Sequence, residues 1–368
     1  MYNWQKDDWP NFNYDSNSLE SILYEYERRM GQAAGMAESF SPEARVEQIL
    51  NMMVEEAVKT SEIEGEYLSR KDVMSSMRIN LGLSVDKNVV PNRKAKGISD
   101  MLMEVRNSFT VPLTIEHLFT WHRYLMSGAK GIKIGAFRSH TEPMQVISGA
   151  IGRERVHFEA PPSAQVPGEM ERFIHWFNER APGNQSNIAS GPVRAAIAHL
   201  YFESIHPFED GNGRIGRAIA EKILSQHFGS PIMYSLSSAI ESKKENYYSA
   251  LENAQRSNEI SAWIRYFVST IVKAQDAAFR QITFTLRKTR FFDQHSEAIN
   301  DRQRKVLQRM FESGPDGFEG GMNARKYVSI TAASKATATR DLQDLMEKGI
   351  FVQREGGGRS TSYDLVLL

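Results

Sequence analysis

Apolar residues return every three to four positions along most of this 368-residue chain, a period that an α-helix turns into one buried face. The expected fold class is therefore mainly α. The length suggests two or three compact units. Hydrophobic residues make up 41% and charged residues 24%, as in ordinary globular proteins, and the formal net charge is zero. No global field steers such a chain to nucleic acid, membrane or acidic partners, so any such contact has to come from a local patch. There is no cysteine, which excludes disulfides, thiolate metal sites and cysteine nucleophiles. The first thirty residues carry acids and lack the apolar run of a signal peptide. No stretch approaches the ~20 apolar residues of a membrane-spanning helix. These features predict a cytoplasmic protein with no membrane partner.

The pattern divides the chain into three segments. Residues 1–85 open with an aromatic stretch (Trp4, Trp9, Phe12, Tyr14) and continue into a helix from about Ser18. A second helix, about 41–65, starts at Ser41-Pro42, since Ser is a favoured N-cap and Pro fits the first turn. Its spacing predicts a buried face of Val46, Ile49, Leu50, Met53 and Ala57, and Gly65 is a natural left-handed stop. Residues 84–95 read as a polar connector. Residues 96–285 read as helical except for 130–162, which is rich in Gly, Pro and β-branched residues and predicts a hairpin over 146–158 turning at 149–152. Helices are expected over 192–205, 213–227, 239–257 and 260–285. Residues 296–368 predict a helix over 301–312, a short helix over 324–329, a turn at 330–333 and a helix over 334–348. A hairpin follows over 351–355 and 361–366, tipped by Gly356, Gly357, Gly358 and Arg359. This order is that of a winged helix-turn-helix domain.

The densest chemistry lies in residues 206–217, HPFEDGNGRIGR, where one helical run closes and the next opens. A helix N-terminus offers unpaired N–H groups and a positive dipole end, which suit phosphate. Gly211 and Gly213 let successive amides curl into an anion-binding nest. Arg214 and Arg217, three apart on one face, offer guanidinium forks to phosphate oxygens. Asp210, just ahead of the nest, suits Mg²⁺ beside phosphates. His206 is able to take a proton from a hydroxyl near neutral pH. Base, metal ligand, nest and charge clamp together point to phosphoryl or nucleotidyl transfer.

Three other readings compete. Residues 211–216 formally match the G-x-G-x-x-G dinucleotide fingerprint, but a strand has to precede it. Val193, Ile197, Leu200 and Ile205 precede it at helical spacing instead. Glu203-x-x-His206 is half of a di-iron carboxylate site, which needs a second copy that the sequence lacks. The segment also reads as a Gly-rich helix connector with a packed histidine.

HPFEDGNGRIGR resembles the Fic family signature HPFx(D/E)GNGRxxR at every specified position. The resemblance implies a helical core that transfers AMP from Mg-ATP to a Ser, Thr or Tyr hydroxyl of a target protein or of the protein itself. By the same resemblance, His206 is the general base and Asp210 the Mg²⁺ ligand. Gly211, Asn212 and Gly213 form the anion hole for the α- and β-phosphates. Arg214 stabilises the phosphates, Arg217 holds the γ-phosphate, and Phe208 anchors the loop. Residues 60–65, TSEIEG, resemble the family's inhibitory motif (S/T)xxxE(G/N), with Thr60, Glu64 and Gly65 at its specified positions. In the family that Glu pairs with the second Arg of the signature, which here is Arg217, and its position before the core implies the class with an N-terminal inhibitory helix.

The 146–158 hairpin resembles the family's flap, with Val146, Ile147, Ile151 and Val156 as target-docking residues by strand addition. Tyr247, Tyr248 and Leu251 resemble the helix that covers adenine and ribose. Lys335 and Arg340 on the second helix of the winged segment, with Arg354 and Arg359 on its hairpin, stand where duplex contacts would. Residues 296–368 carry eleven Lys and Arg against ten Asp and Glu, however. Phosphate contact needs a clear basic surface, so protein docking and DNA binding stand level. Two alternatives to AMP transfer follow. One is a DNA-binding regulator whose core senses nucleotide, and the other a hydrolase that uses Glu64 to remove AMP. An inhibitory helix that needs relief also suggests a homodimer.

Overall fold

The computed structural model describes residues 1–37, 40–83, 92–149, 153, 155–355 and 361–366. The chain packs as two compact units, Met1–Asp276 and Ala277–Leu368. In the first, α1 (Glu20–Ala37), α2 (Pro42–Ile63), α3 (Arg70–Asn80), α4 (Arg93–Asn107) and α5 (Ile115–Leu125) precede a hairpin. The hairpin pairs β1 (Gln145–Ser148) antiparallel with β2 (Arg155–Glu159), Val146 opposite Phe158 and Ser148 opposite Arg155. Then come α6 (Val166–Glu179), α7 (Gly191–Ile205), α8 (Asn212–Phe228), α9 (Leu236–Glu241), α10 (Lys244–Ala254) and α11 (Ser261–His295), within which the boundary between the units falls.

Every residue of α7 is buried. A helix apolar all round belongs at the centre of a layered core, and α7 is that centre, packed along α8 and flanked by α6. Its polar members therefore need partners. Arg194 donates to the Phe177 carbonyl at 2.7 Å and to Gln226 at 2.9 Å, and the Trp263 indole donates to the Ala196 carbonyl at 2.8 Å. The aromatic N-terminus lies against the same helix: Asn3 donates to Ser204 Oγ at 2.9 Å, and Trp9 meets Tyr201 edge to face.

Ser41 caps α2 as its residue type predicts, accepting from the Ala44 amide at 3.2 Å with Pro42 in the first turn. Gly65 ends the segment at φ 77°. Leu50, Met53 and Ala57 are buried, but Val46 is exposed and Ile49 only half-buried, because the first turns of α2 run out along the surface before the core begins. The single helix expected over 239–257 is two helices. Ser242 and Lys243 interrupt it, with Lys243 at φ −142°, and neither residue type announces a break. The helix expected to end at 285 runs to His295, and α3 carried no expectation of its own. The hairpin tip at 150–152 and most of the connector at 84–91 lie outside the described residues.

Glu56 ties α2 to α9. Its buried carboxylate accepts from Ser235 Oγ at 2.7 Å, from the Ser237 amide at 3.0 Å and from the Ser237 hydroxyl. Glu56→Ala strands those donors and is expected to lower the free energy of unfolding by about 2–3 kcal/mol, checked by urea denaturation.

The second unit holds α12 (Asp301–Phe311), α13 (Ala324–Thr331), α14 (Lys335–Glu347), β3 (Phe351–Gln353) and β4 (Tyr363–Leu365), the strands antiparallel. This is the order expected of helix-turn-helix and wing, with Ala332 left-handed in the turn and Ser334 capping α14. Val306, Leu307, Tyr327, Leu342 and Phe351 belong to its buried core. Arg354 is paired with Asp364 at 2.7 Å, and Arg359 lies outside the described residues.

Candidate active site

The α7–α8 junction builds the site. Helix α7 ends on His206, which caps it at φ 51°, ψ 60°. A non-glycine residue held in this left-handed region is uncommon, and such conformations persist where surrounding structure enforces them. Here the enforcement comes from Arg138. Its buried guanidinium donates to the carbonyls of His206 at 2.8 Å, Ile205 at 3.2 Å and Pro161 at 2.6 Å, and to Ser163 Oγ at 2.9 Å. The Arg138 amide also donates to the Pro207 carbonyl at 2.9 Å. One side chain thus clamps the α7–α8 loop to the base of the hairpin. Arg138→Ala leaves several buried carbonyls without donors, and a loss of about 3 kcal/mol or more in chemical denaturation is expected.

Below the loop, Phe208 is fully buried and its ring stacks on His122 of α5 at 4.3 Å. The His122 ring bonds on both sides, with the Gly135 amide at 2.8 Å and the Asp210 carbonyl at 3.2 Å. The Asn212 side chain is spent inside the loop, accepting from the Phe208 amide at 2.9 Å and donating to the Phe208 carbonyl at 2.8 Å. It shapes the turn, and the part of Asn212 left for an anion is its backbone N–H at the start of α8. Gly211 turns at φ 87°, which favours glycine.

Asp210 is largely exposed; its Oδ1 accepts from the Gly211 amide at 2.6 Å and lies 3.6 Å from Arg214 Nη2. Among the described residues no group of three or more His, Asp or Glu forms a metal cage. A single exposed carboxylate beside an anion nest still fits Mg²⁺, which keeps waters and binds through one or two carboxylates plus substrate phosphates.

The end of α2 closes over the nest. Arg217, almost wholly buried, donates through Nε to Thr60 Oγ1 at 2.7 Å, and through Nη2 to the Thr60 carbonyl at 2.9 Å and to Glu64 Oε1 at 2.7 Å. A Cβ on Gly213 would lie 2.2 Å from Glu64 Oε1, so the carboxylate rests directly on the nest. Arg214 is paired with Glu66 at 2.8 Å, a contact that the sequence reading missed. Both cations of the signature are therefore neutralised by the α2 terminus.

His206, Asp210, residues 211–213, Glu64, Tyr247, Tyr248 and Leu251 share the wall of one cavity of about 680 Å³ with Val146, Ile147 and His157 of the hairpin. Tyr247 is buried and its hydroxyl bonds His199 Nε2 at 2.7 Å, while the Tyr248 hydroxyl donates to the Ile63 carbonyl at 3.2 Å. Ile147 and Val156 are exposed on the hairpin; Ile151 lies outside the described residues. Glu252 of α10 latches the hairpin, pairing with Arg155 at 3.0 Å and with His157 at 2.8 Å. Burial draws the His206 imidazole down to about 4, with the Arg138 charge adding to the effect. The ring is neutral at physiological pH and so able to accept a proton.

The site is a helical junction with an anion nest, two arginines and a histidine, and known proteins share its sequence and fold. The Fic/DOC family model matches residues 112–224, and a model described as "Domain of unknown function (DUF4172)" matches residues 2–83. Residues 112–224 are a Fic/DOC family domain. Protein adenylyltransferase Fic from Drosophila mojavensis is 26% identical over 221 residues, covering 58% of this chain and 39% of its own length. The chain thus spans about two fifths of the length of the curated relatives it matches first. Among solved structures, a Fic family protein from Desulfovibrio desulfuricans G20 aligns over 97% of this chain and 98% of its own, with TM-score 0.56 and 19% identity. A Fic domain containing signaling protein from Bacteroides thetaiotaomicron VPI-5482 aligns over 72% and 97%, with TM-score 0.52 and 20% identity. Both likenesses are of fold.

Proposed function

We propose that this protein transfers AMP from Mg-ATP to a Ser, Thr or Tyr hydroxyl of a target protein, and that Glu64 restrains it. The observation that carries the reading is the Glu64–Arg217 pair at 2.7 Å, seated on the same nest and cavity as His206. A carboxylate held by the last signature arginine occupies the ground of a phosphate, and its removal frees both the cation and the space. The curated relatives share the name protein adenylyltransferase.

In the transfer, the acceptor oxygen bonds to the α-phosphorus while the bond from that phosphorus to the bridging oxygen breaks. Pyrophosphate leaves with the electron pair, and the hydroxyl proton passes to the His206 ring. The N–H groups at the α8 N-terminus and the Arg214 and Arg217 guanidiniums hold the phosphate charge. Mg²⁺, held by Asp210 with the phosphates, would supply charge neutralisation. Tyr247, Tyr248 and Leu251 line the cavity where a base and ribose would lie. The exposed strand residues Ile147 and Val156 offer a target segment an edge to pair with. The experiment uses ATP labelled at the α- or the γ-phosphate. Covalent α-label on protein supports the reading, label from the γ position alone replaces it with a kinase, and bound nucleotide without any label removes it.

A further inference from the structure

Glu203 precedes His206 by three residues, so the two side chains lie on one face of the α7 terminus. Glu203 Oε2 is 3.7 Å from His206 Nδ1, and both side chains are largely buried. Glu203 Oε1 and His206 Nδ1 are each buried without a hydrogen bond of good geometry among the described residues, while the backbone carbonyl of Glu203 also faces the His206 ring and competes with the carboxylate for it. Room for the carboxylate comes from the facing helix: a Cβ on Gly216 of α8 would lie 2.5 Å from Glu203 Oε1. This also accounts for the third glycine of the formal G-x-G-x-x-G match, which makes space for an acid rather than for a dinucleotide.

An unpaired carboxyl buried in a helix core is costly and calls for an explanation. His199 Nδ1 and Arg217 Nη1 are also buried without partners nearby, but the atom that faces Glu203 Oε2 is the ring nitrogen of the residue that takes the substrate proton. We propose that Glu203 is a positioning residue: its carboxylate accepts the Nδ1–H of His206, which leaves the Nε2 lone pair turned to the acceptor hydroxyl. The proposal rests on His206 acting as the base for AMP transfer. Separations of this size shorten when a site fills, as is common for catalytic hydrogen bonds before substrate arrives.

A neutral imidazole carries one N–H, and the partner of one nitrogen decides which it is. An ionised Glu203 only accepts, so it selects Nδ1–H and makes His206 a base. A protonated Glu203 donates to Nδ1, moves the ring proton to Nε2 and leaves nothing there to receive the hydroxyl proton. The charge on Glu203 therefore gates the base. Groups facing Glu203 are Glu64 just past the end of α2, Arg217 of α8, Tyr247 and Tyr248 of α10, His199 of its own helix and His206 that caps it; Arg138, Asp210 and Glu64 face His206. Burial raises the Glu203 carboxyl to about 8, Glu64 adds to the rise and Arg217 opposes it. Glu64 thus acts twice, on the phosphate cation and on the acid behind the base.

The test measures AMP transfer by Glu64→Gly and by Glu64→Gly/Glu203→Gln from about pH 6 to about pH 9.5, spanning the ordinary His and raised Glu ranges. The parent is expected to speed up as Glu203 ionises. The Glu203→Gln variant is expected to lose that rise and to lower kcat about tenfold or more with KM for ATP unchanged, and Glu203→Asp to restore part of the pH rise. An unchanged pH profile in Glu203→Gln overturns the proposal. A second readout does not need transfer: ¹⁵N-histidine NMR of the wild-type chain should show His206 moving to the Nδ1–H tautomer as pH rises. A tautomer that stays fixed overturns the inference even if transfer is never seen. Absence of transfer in the parent with the tautomer shift present removes the AMP-transfer reading and leaves the Glu203–His206 coupling standing.

Discussion

Glu64→Gly is expected to raise AMP transfer from α-labelled ATP by roughly 10- to 100-fold over wild type, the equivalent of one charge-assisted hydrogen bond. Three features of Arg217 set the direction. Its guanidinium is nearly inaccessible to water, so a partner has to be supplied from within the site. Thr60 holds it through Nε and Nη2 whether or not Glu64 is present, so the cation stays in place when the carboxylate goes. Its Nη1 is buried without a partner among the described residues, a donor still open to a phosphate oxygen. The steric side points the same way, since Glu64 Oε1 lies where a single carbon added to Gly213 would collide with it. Glu64→Gln keeps that bulk while removing the charge, so an intermediate gain is expected from it. Equal label in wild type and Glu64→Gly would sink the inhibitory reading, and a lost hydrolytic activity in Glu64→Gly would replace it with AMP removal. The Glu64 backbone, at φ −86° and ψ 8°, imposes no strain on either replacement.

The parts of this site that could be read from sequence are those set by short spacing. The 206–217 loop announces itself because two glycines, a histidine and two arginines at fixed offsets have few structural uses besides holding an anion. Glu64 was legible for a related reason: its motif sits at a helix end, and Gly65 marks that end. What stayed hidden depends on contacts far apart in the chain. Arg138 lies 68 positions from His206 and shows no pattern of its own, yet it holds the loop in its left-handed turn. The partner of Arg214 is Glu66, 148 positions away, in a stretch that reads as an ordinary polar turn. Glu203 was visible as half of a metal motif, while its companion, the bare face of Gly216, belongs to the next helix. The fold follows the same division. Periodicity gives α2, α7, α8 and the 301–366 elements to within a few residues. The break at Ser242-Lys243 is invisible because neither residue type is a helix breaker.

His206→Ala in the Glu64→Gly background is expected to lower transfer by about 10²- to 10⁴-fold, the usual contribution of a positioned general base. The size follows from the surroundings of the ring. It is neutral across the physiological range because burial holds it near 4. It closes α7 where the N–H groups of α8 begin, so the proposed proton acceptor and the proposed phosphate holders share one junction. Alanine is also a poor occupant of the left-handed conformation that His206 adopts, and a loss of activity in that variant alone could reflect a shifted loop. Asparagine accepts that conformation more readily and has no basic nitrogen, so His206→Asn separates the two causes. Both variants are expected to bind ATP about as tightly as their parent, because the nest, Arg214 and Arg217 remain. Transfer that survives in His206→Asn at near the parent rate would show that the base lies elsewhere. Loss of transfer with ATP binding intact in both variants would assign the proton-accepting role to the imidazole.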